Sequence, residues 1–133
     1  MRVYVAGSSA EIDRAEQVMQ AIERAGHVVV STWTEDIAMV GAANPRDASA
    51  EERRGWARGC LRQVGGSDAL VCLVPREPAT TRGGWAEMAY AFRSQIPILC
   101  SGDTKQSVFC ALGDEVELDA EIVPWLEEIA RGT

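Results

Sequence analysis

Apolar and polar residues alternate along the chain in short blocks that predict strands followed by helices. Residues 2–6 form a run rich in Val and Tyr that ends at Gly7-Ser8-Ser9, as a buried strand does at a tight turn. Ser8 and Glu11 have the spacing of a capping box. Apolar residues then follow at intervals of three and four, which predicts an amphipathic helix that ends at Gly26. These residues are Ile12, Ala15, Met19 and Ile22.

The second unit has the same order. Residues 28–33 are rich in β-branched side chains and predict a strand, and the Gly, Asn and Pro residues within 35–48 predict a loop. Ser49 and Glu52 repeat the capping-box spacing, and apolar positions continue to Gly65-Gly66. A second helix is therefore expected near residues 50–64.

The third unit begins with residues 69–74, which are apolar on both faces and predict a central strand that Pro75 ends. A helix with an apolar stripe and a fourth strand at 97–100 follow. The stripe is Trp85, Met88, Ala89 and Phe92. The last thirty residues contain possible strands at 108–112 and 116–118, before a helix that tolerates Pro124 only in its first turn.

Repeated strand-helix units of this length predict a single domain over residues 1–133. The expected architecture is an α/β fold of three layers, with a doubly wound parallel sheet of about five strands. Such sheets bind ligands beyond the carboxyl ends of the strands, where the strand order reverses. The loops after the first three strands are therefore the expected ligand site.

Composition narrows the range of functions. The 133 residues carry a net charge of −7, which argues against binding nucleic acid or anionic membranes through bulk charge. The longest apolar run, residues 69–74, is far too short to span a bilayer, and the amino terminus lacks the pattern of a secretory signal. The cytoplasm is the expected location. Four cysteines without a C-x-x-C pair and a single His predict neither a metal site nor a disulfide framework. No cofactor is expected.

Two features of the first loops suit a small anionic or planar ligand. Gly7-Ser8-Ser9 opens a helix, whose free N–H groups favour a phosphate or carboxylate, although Ser8 would also act as a simple cap. Trp33 is expected at the rim of the cleft, where its indole either stacks on a planar base or closes the end of the core. His27 lies at the other end of that strand and is not expected to be catalytic.

Glu87 is the leading candidate for chemistry. It lies in the first turns of the helix after the central strand, to one side of the predicted apolar stripe. A carboxylate there is expected to point across the cleft toward the Gly7-Ser8-Ser9 turn. The alternative is a glutamate that only benefits from the helix dipole.

Four segments between residues 2 and 100 resemble the nucleoside 2-deoxyribosyltransferase family and its relatives that hydrolyse nucleotide N-glycosidic bonds. The most specific is the last, with its Gly-x-x-Glu-x-x-x-Ala pattern. The segments are Tyr4-Val5-Ala6-Gly7-Ser8, Gly26-His27 leading to Ser31-Thr32-Trp33, Ser67-Asp68-Ala69-Leu70-Val71, and Gly83-Gly84-Trp85-Ala86-Glu87-Met88-Ala89-Tyr90-Ala91.

The resemblance implies a flavodoxin-like or Rossmann-like sheet, a nucleoside or nucleotide as substrate, and homo-oligomers whose sites border a neighbouring subunit. It implies that Glu87 attacks the anomeric carbon, because a carboxylate stabilises an oxocarbenium-like transition state. It also implies that the Gly7-Ser8-Ser9 turn holds the 5′ end of the substrate. Asp68 matches the family's strand-opening aspartate, and the sugar would be lined by Thr80, Thr81, Gly83 and Gly84.

Two positions depart from the family pattern. Thr81 and Cys60 stand where the transferases usually carry acidic residues, which puts base exchange in question. Glu35 and Asp36 are possible replacements. Two other hypotheses stay open: a nucleotide-binding or sensor module of the same fold that has lost the chemistry, and a flavodoxin-like redox protein, which the short phosphate loop disfavours.

Overall fold

The computed structural model describes residues 1–40, 48–77 and 82–132. Within them the chain forms five strands and five α-helices. The strands are β1 (Arg2–Ala6), β2 (Val28–Val29), β3 (Ala69–Leu73), β4 (Ile98–Ser101) and β5 (Asp114–Val116). The helices are α1 (Ile12–Arg24), α2 (Trp33–Val40), α3 (Ala50–Gly65), α4 (Arg82–Arg93) and α5 (Ile122–Ala130).

The strands form one parallel sheet in the order β2-β1-β3-β4-β5. Val5 on β1 pairs with Val71 on β3, which in turn pairs with Leu99 on β4. The chain first winds outward from β1 to β2 and then returns to the other side of β1 to form β3. The strand order therefore reverses between β1 and β3, as predicted for a doubly wound sheet.

Alternate residues of the strands supply two cores, one on each face of the sheet. Val5 and Leu99 face α1 and α5, whereas Tyr4 and Ala6 face α3 and α4. All five residues of β3 are buried, which confirms that it is a central strand. The result is the predicted α/β architecture of three layers.

Two predictions near the second strand are wrong. Strand β2 covers only Val28–Val29, and residues 33–40 are helical where a loop was predicted from residue 35. Helix α2 carries Glu35 and Asp36 in its first turn, where acidic side chains stabilise a helix by interacting with the positive end of its dipole. The rest of the predicted loop, residues 41–47, lies outside the described residues.

The last thirty residues also differ from expectation. A 3-10 helix, Val108–Leu112, replaces the predicted strand, and the Ser107 side chain caps it by accepting a hydrogen bond from the Phe109 amide. The final strand is Asp114–Val116 rather than residues 116–118, and it pairs with β4. Helix α5 forms as predicted, with Pro124 in its first turn.

Only the second of the two predicted capping boxes forms. Ser49 Oγ accepts from the Glu52 amide at 3.0 Å, and Glu52 Oε1 accepts from the Ser49 amide at 3.3 Å. Ser8 Oγ accepts from the Ala10 amide and starts a 3-10 turn before α1. The Glu11 carboxylate does not return to Ser8, because it accepts hydrogen bonds from Arg14 and from the Arg76 amide.

Arg14 ties helix α1 to the carboxyl edge of the sheet. Its guanidinium donates to the carboxylates of Glu11 and Asp119, with the two Asp119 contacts at 2.8 and 2.9 Å. It also donates to the carbonyls of Val74 and Ser101, which follow β3 and end β4. Burial alone would raise the pKa of Asp119, but hydrogen bonds from Arg14 and Ser101 outweigh it and lower that pKa. One planar cation thus holds the ends of three elements together.

We expect Arg14→Lys to lower the free energy of unfolding by about 2–4 kcal/mol, because an ammonium cannot reproduce the forked contacts to Asp119 and leaves buried acceptors unpaired. Chemical denaturation followed by circular dichroism measures the change. Arg24→Lys is the matched control, since Arg24 is exposed in the last turn of the same helix. Equal stability of the two variants would contradict the structural role of Arg14.

No helix in the described segments has both the length and the apolar character needed to cross a membrane. The four cysteines are free thiols, and three of them are buried: Cys72, Cys100 and Cys110. Among the residues that the structure describes, no group of three or more Cys, His, Asp or Glu is arranged to hold a metal ion.

Candidate active site

Glu87 lies on the face of α4 that packs against the sheet. Gly84, Met88 and Ala91 are buried on this face, whereas Ala89 and Phe92, predicted to be in the apolar stripe, are exposed. The predicted apolar stripe therefore differs from the true buried face by a rotation about the helix axis. The cause is Glu87 itself, because a pattern that assigns charged residues to solvent places the buried face elsewhere.

The Glu87 carboxylate faces the hydroxyl of Tyr4, which rises from β1 and is fully buried. Neither Glu87 Oε2 nor the Tyr4 hydroxyl makes a hydrogen bond of standard geometry with any described residue. Burial raises the pKa of Glu87 to about 7, and the adjacent Tyr4 hydroxyl offsets part of that rise. The carboxylate is therefore held in a poorly solvated place with little compensation.

Cys60, on α3, lies close to Tyr4 and Glu87. Burial raises the pKa of its thiol, the Tyr4 hydroxyl lowers it, and the negative charge of Glu87 raises it further. The Tyr4 hydroxyl thus lies between a thiol and a carboxylate. Cys60 occupies the position for which the family resemblance implies an acid, so the structure brings this departure next to Glu87.

Asp36 is the second acidic group near this cluster. Its charge acts on Cys60, and its Oδ2 accepts a hydrogen bond from Thr32 Oγ1 at 3.2 Å. Gln63 Nε2 on α3 donates to the same Thr32 hydroxyl at 2.8 Å, which links α2 to α3. The sequence suggested Asp36 as a replacement acid on a loop, and the structure instead fixes it on helix α2 near Cys60.

The Gly7-Ser8-Ser9 turn follows β1 at the carboxyl edge of the sheet, beside the point where the strand order reverses. Ser8 is buried, and its side chain caps the 3-10 turn. A Cβ atom built on Gly7 would lie 3.5 Å from the Trp33 ring. The indole thus lies beside the turn, where a larger residue at position 7 would touch it.

Trp33 closes the end of the core. Its Nε1 donates to the Val5 carbonyl at 2.7 Å, and its ring packs against both core clusters. The indole is only partly buried, so one part of the ring still borders the carboxyl edge. These contacts support the packing role more directly than the stacking role.

Gly83 and Gly84 lie in the first turn of α4, one turn before Glu87. A Cβ atom built on Gly83 would lie 3.7 Å from Glu87 Oε1, so glycine leaves open the space beside this oxygen. Gly84 is buried against the core. Thr80 and Thr81, predicted to line the sugar, lie outside the described residues.

Asp68 and His27 lie at the opposite, amino edge of the sheet. Asp68 precedes β3, and its Oδ2 accepts from the Arg2 amide at 2.7 Å. The ring nitrogens of His27 contact the chain's amino terminus at 3.2 Å and Glu127 Oε1 at 3.3 Å. The structure therefore does not bring Asp68 together with Glu87. The contacts of Asp68 and His27 stabilise the fold.

Tyr4 is the site residue that the sequence analysis missed. It was included among the apolar residues of the first strand, although a buried phenol needs a partner for its hydroxyl. The signal lies in the spacing of Tyr4 and Ala6. Side chains two residues apart lie on the same face of a strand, and Ala6 leads directly into the Gly7 turn. A tyrosine on that side points toward the helices that flank the predicted cleft.

We expect Glu87→Gln to stabilise the protein above pH 7 but not near pH 4. The pKa of Glu87 is raised from its ordinary value of 4.5, so the folded protein keeps this proton between about pH 4.5 and 7 while the unfolded chain has lost it. The cost of ionising the buried group therefore grows over this range and reaches at most about 3 kcal/mol at pH 8. Glutamine avoids that cost.

Denaturation at pH 4 and pH 8 measures the difference in unfolding free energy between the variant and the wild type. Glu16→Gln on the exposed side of α1 is the control and is expected to change stability by less than about 0.5 kcal/mol at both pH values. A Glu87→Gln difference that does not depend on pH would argue that the carboxylate is well solvated.

Neither a protein-family model nor a curated protein matches the sequence. Solved structures do match over nearly the whole chain. A conserved protein from Enterococcus faecalis is 17% identical, with a TM-score of 0.71 over 96% of this chain and 98% of that one.

Two further solved structures are enzymes. A 2-deoxyribosyltransferase from Bacillus psychrosaccharolyticus is 16% identical, with a TM-score of 0.69 over 92% of this chain and 90% of that one. A CMP N-glycosidase from Clostridium botulinum is 11% identical, with a TM-score of 0.55 over 97% of this chain and 99% of that one. This chain therefore has the fold shared by a 2-deoxyribosyltransferase and a CMP N-glycosidase, and at the level of the fold the predicted resemblance is confirmed.

Proposed function

We propose that the protein cleaves or transfers the N-glycosidic bond of a nucleoside or nucleotide, with Glu87 as the nucleophile. The observation that carries the proposal is the buried Glu87 carboxylate, whose Oε2 has no hydrogen-bond partner among the described residues. A surface glutamate would be solvated, and a structural buried one would be paired. The fold shared with two enzymes that act on such bonds supports the same assignment.

The chemistry follows from the carboxylate. As the bond from C1′ to the base nitrogen breaks, the base leaves with the electron pair and takes up a proton from bulk water, and positive charge develops on the sugar. The Glu87 carboxylate stabilises that charge and forms an ester with C1′. Water then hydrolyses the ester to a free sugar, or a second base displaces Glu87 to give a new nucleoside. The incoming water or second base releases a proton in this later step.

The surroundings of Glu87 suit this role. Burial raises the pKa of Glu87 to about 7, so the side chain can be ionised near neutral pH while the surrounding chain compensates its charge only weakly. Gly83 leaves space beside Oε1, and the Tyr4 hydroxyl lies next to the carboxylate on the inner side. The Gly7-Ser8-Ser9 turn lies at the same edge of the sheet, and we place the 5′ end of the substrate beside it.

The direct test is release of free base. We expect the purified protein to release base from one or more members of a panel of deoxynucleosides and nucleoside monophosphates, with and without an acceptor base, as followed by chromatography. Glu87→Gln keeps the shape of the side chain but removes the nucleophile, and we expect at least about a thousand-fold loss of rate. Glu16→Gln is the matched control and should retain the wild-type rate. Undiminished release by Glu87→Gln would remove Glu87 from the mechanism.

The dependence of the rate on pH distinguishes a nucleophile from an acid. Because only the ionised carboxylate attacks, we expect kcat/KM to rise with pH and to level off above about pH 7, the pKa of Glu87. Tyr4→Phe removes a hydroxyl that lowers this pKa, so its profile should shift to higher pH. A rate that instead falls through pH 7 would indicate that Glu87 acts as a proton donor.

One observation favours a second candidate, a nucleotide-binding or sensor module without turnover. Cys60 supplies a thiol beside Tyr4, where the family resemblance implies a carboxylate, so the cluster carries one acid fewer. Isothermal titration calorimetry with the same panel separates the two candidates. Saturable binding without released base would support the module, and the absence of both binding and release would refute both.

A further inference from the structure

Cys60 is the cysteine that solvent reaches in the folded protein. The thiols of Cys72, Cys100 and Cys110 are fully buried in the core, whereas Cys60 on α3 is only partly buried. Reaction of a thiol requires access to its sulfur atom. A thiol reagent in solution therefore meets Cys60 before it meets the other three cysteines.

Two buried polar atoms lie beside the Cys60 thiol without a hydrogen-bond partner among the described residues. One is the hydroxyl of Tyr4, a residue with 0% of its surface exposed, and this hydroxyl faces both Cys60 and Glu87. The other is Glu87 Oε2. Buried polar groups in folded proteins are nearly always paired. The two atoms therefore indicate that the space beside Cys60 receives a group that the chain itself does not supply.

The charges around Cys60 favour a cation. Glu87 on α4 and Asp36 on α2 both raise the pKa of the thiol through their negative charge, and the Tyr4 hydroxyl on β1 lowers it. Among the described residues, no basic side chain acts on this thiol. An anionic group attached to Cys60 would be repelled by both carboxylates. An ammonium group would be attracted to both and could donate a hydrogen bond to Glu87 Oε2.

We propose that Cys60 forms a reversible mixed disulfide with a small cationic aminothiol, whose ammonium group donates a hydrogen bond to the Glu87 carboxylate. The Cys60 thiolate attacks one sulfur of the aminothiol's own disulfide, and the bond between its two sulfurs breaks. The second aminothiol leaves as a thiolate and takes up the proton that Cys60 released. The Cys60 sulfur is oxidised and the departing sulfur is reduced, so the disulfide itself is the oxidant.

The surroundings of Cys60 make the adduct slow to form and slow to reverse. Burial and the two acids raise the pKa of the thiol, so only a small fraction is thiolate at neutral pH. In the reverse reaction Cys60 is the leaving group, and a thiol with a high pKa leaves slowly. Once formed, the adduct therefore persists until a strong thiol reductant removes it.

The adduct would also control the proposed active site. This step rests on the proposed function, because the ammonium group would occupy the carboxylate that is proposed to attack C1′. We expect fully modified protein to release no base, and we expect dithiothreitol to restore the release.

Three disulfides of matched size test the proposal at pH 8: cystamine, which is cationic, bis(2-hydroxyethyl) disulfide, which is neutral, and dithiodipropionate, which is anionic. Intact mass spectrometry counts the adducts, and peptide mapping locates them. We expect one adduct, at Cys60, in the folded protein. Relative to the guanidinium-unfolded chain, the exchange equilibrium constant should be about ten-fold higher for cystamine than for the neutral disulfide. It should be lowest for dithiodipropionate.

Two matched variants test the contact with Glu87. Glu87→Gln removes the negative charge and should abolish the preference for cystamine over the neutral disulfide. Glu16→Gln, on the exposed side of α1, should keep that preference. Cys60→Ser should take up no group while it is folded, and circular dichroism verifies the fold of each variant.

Absence of an adduct at Cys60 in the folded protein would overturn the proposal, and so would equal modification of the three buried cysteines. Equal uptake of the three disulfides, or a preference for cystamine that survives Glu87→Gln, would overturn the contact between the ammonium group and Glu87. Unchanged base release by fully modified protein would overturn control of the site.

Adduct formation and base release are separate measurements. If the wild type releases no base but takes up cystamine in a manner that depends on Glu87, the glycosidic proposal fails and the thiol site stands. If the wild type releases base but Cys60 stays unmodified, the thiol site fails and the glycosidic proposal stands.

Discussion

The burial of one carboxylate beside one phenol governs the proposed chemistry of this protein. Glu87 sits on the inner face of α4 and Tyr4 on the facing side of β1, and neither finds a full hydrogen-bond partner among the described residues. A paired carboxylate in a core stabilises a fold, but an unpaired one costs free energy. A group held at such a cost is the kind of group that a substrate or a transition state can satisfy.

The other acids near the carboxyl edge show what pairing does. Asp119 is partly buried, yet the guanidinium of Arg14 lowers its pKa. Glu11 is held by the same cation and by a backbone amide, and its pKa is lowered as well. Among the described residues, the Tyr4 hydroxyl is the donor that lowers the pKa of Glu87, and the effect of burial outweighs it. Paired carboxylates thus stabilise the fold at the carboxyl edge, whereas the Glu87 carboxylate is buried with little compensation.

The two ends of α3 have different surroundings. Cys60, in the second half of the helix, contributes to the Tyr4 and Glu87 cluster, and Val64 is buried in the core. Residues 50–58 of the same helix are exposed. The helix therefore contributes to the proposed site through its carboxyl-terminal half.

The sequence by itself determined the alternation of strands and helices, the parallel sheet and the central place of β3, because periodicity and local turn signals depend on neighbouring residues. It also singled out Glu87, whose chemical role stays a prediction. It failed for α2, most of which was predicted to be a loop, and for the 3-10 helix Val108–Leu112, where Val108 and Phe109 are exposed. The partnership of Tyr4, Cys60 and Glu87 was decided only by the tertiary structure, since these residues come from three separate elements. No local pattern reports which buried polar groups meet across a core, and the true buried face of α4 was hidden for the same reason.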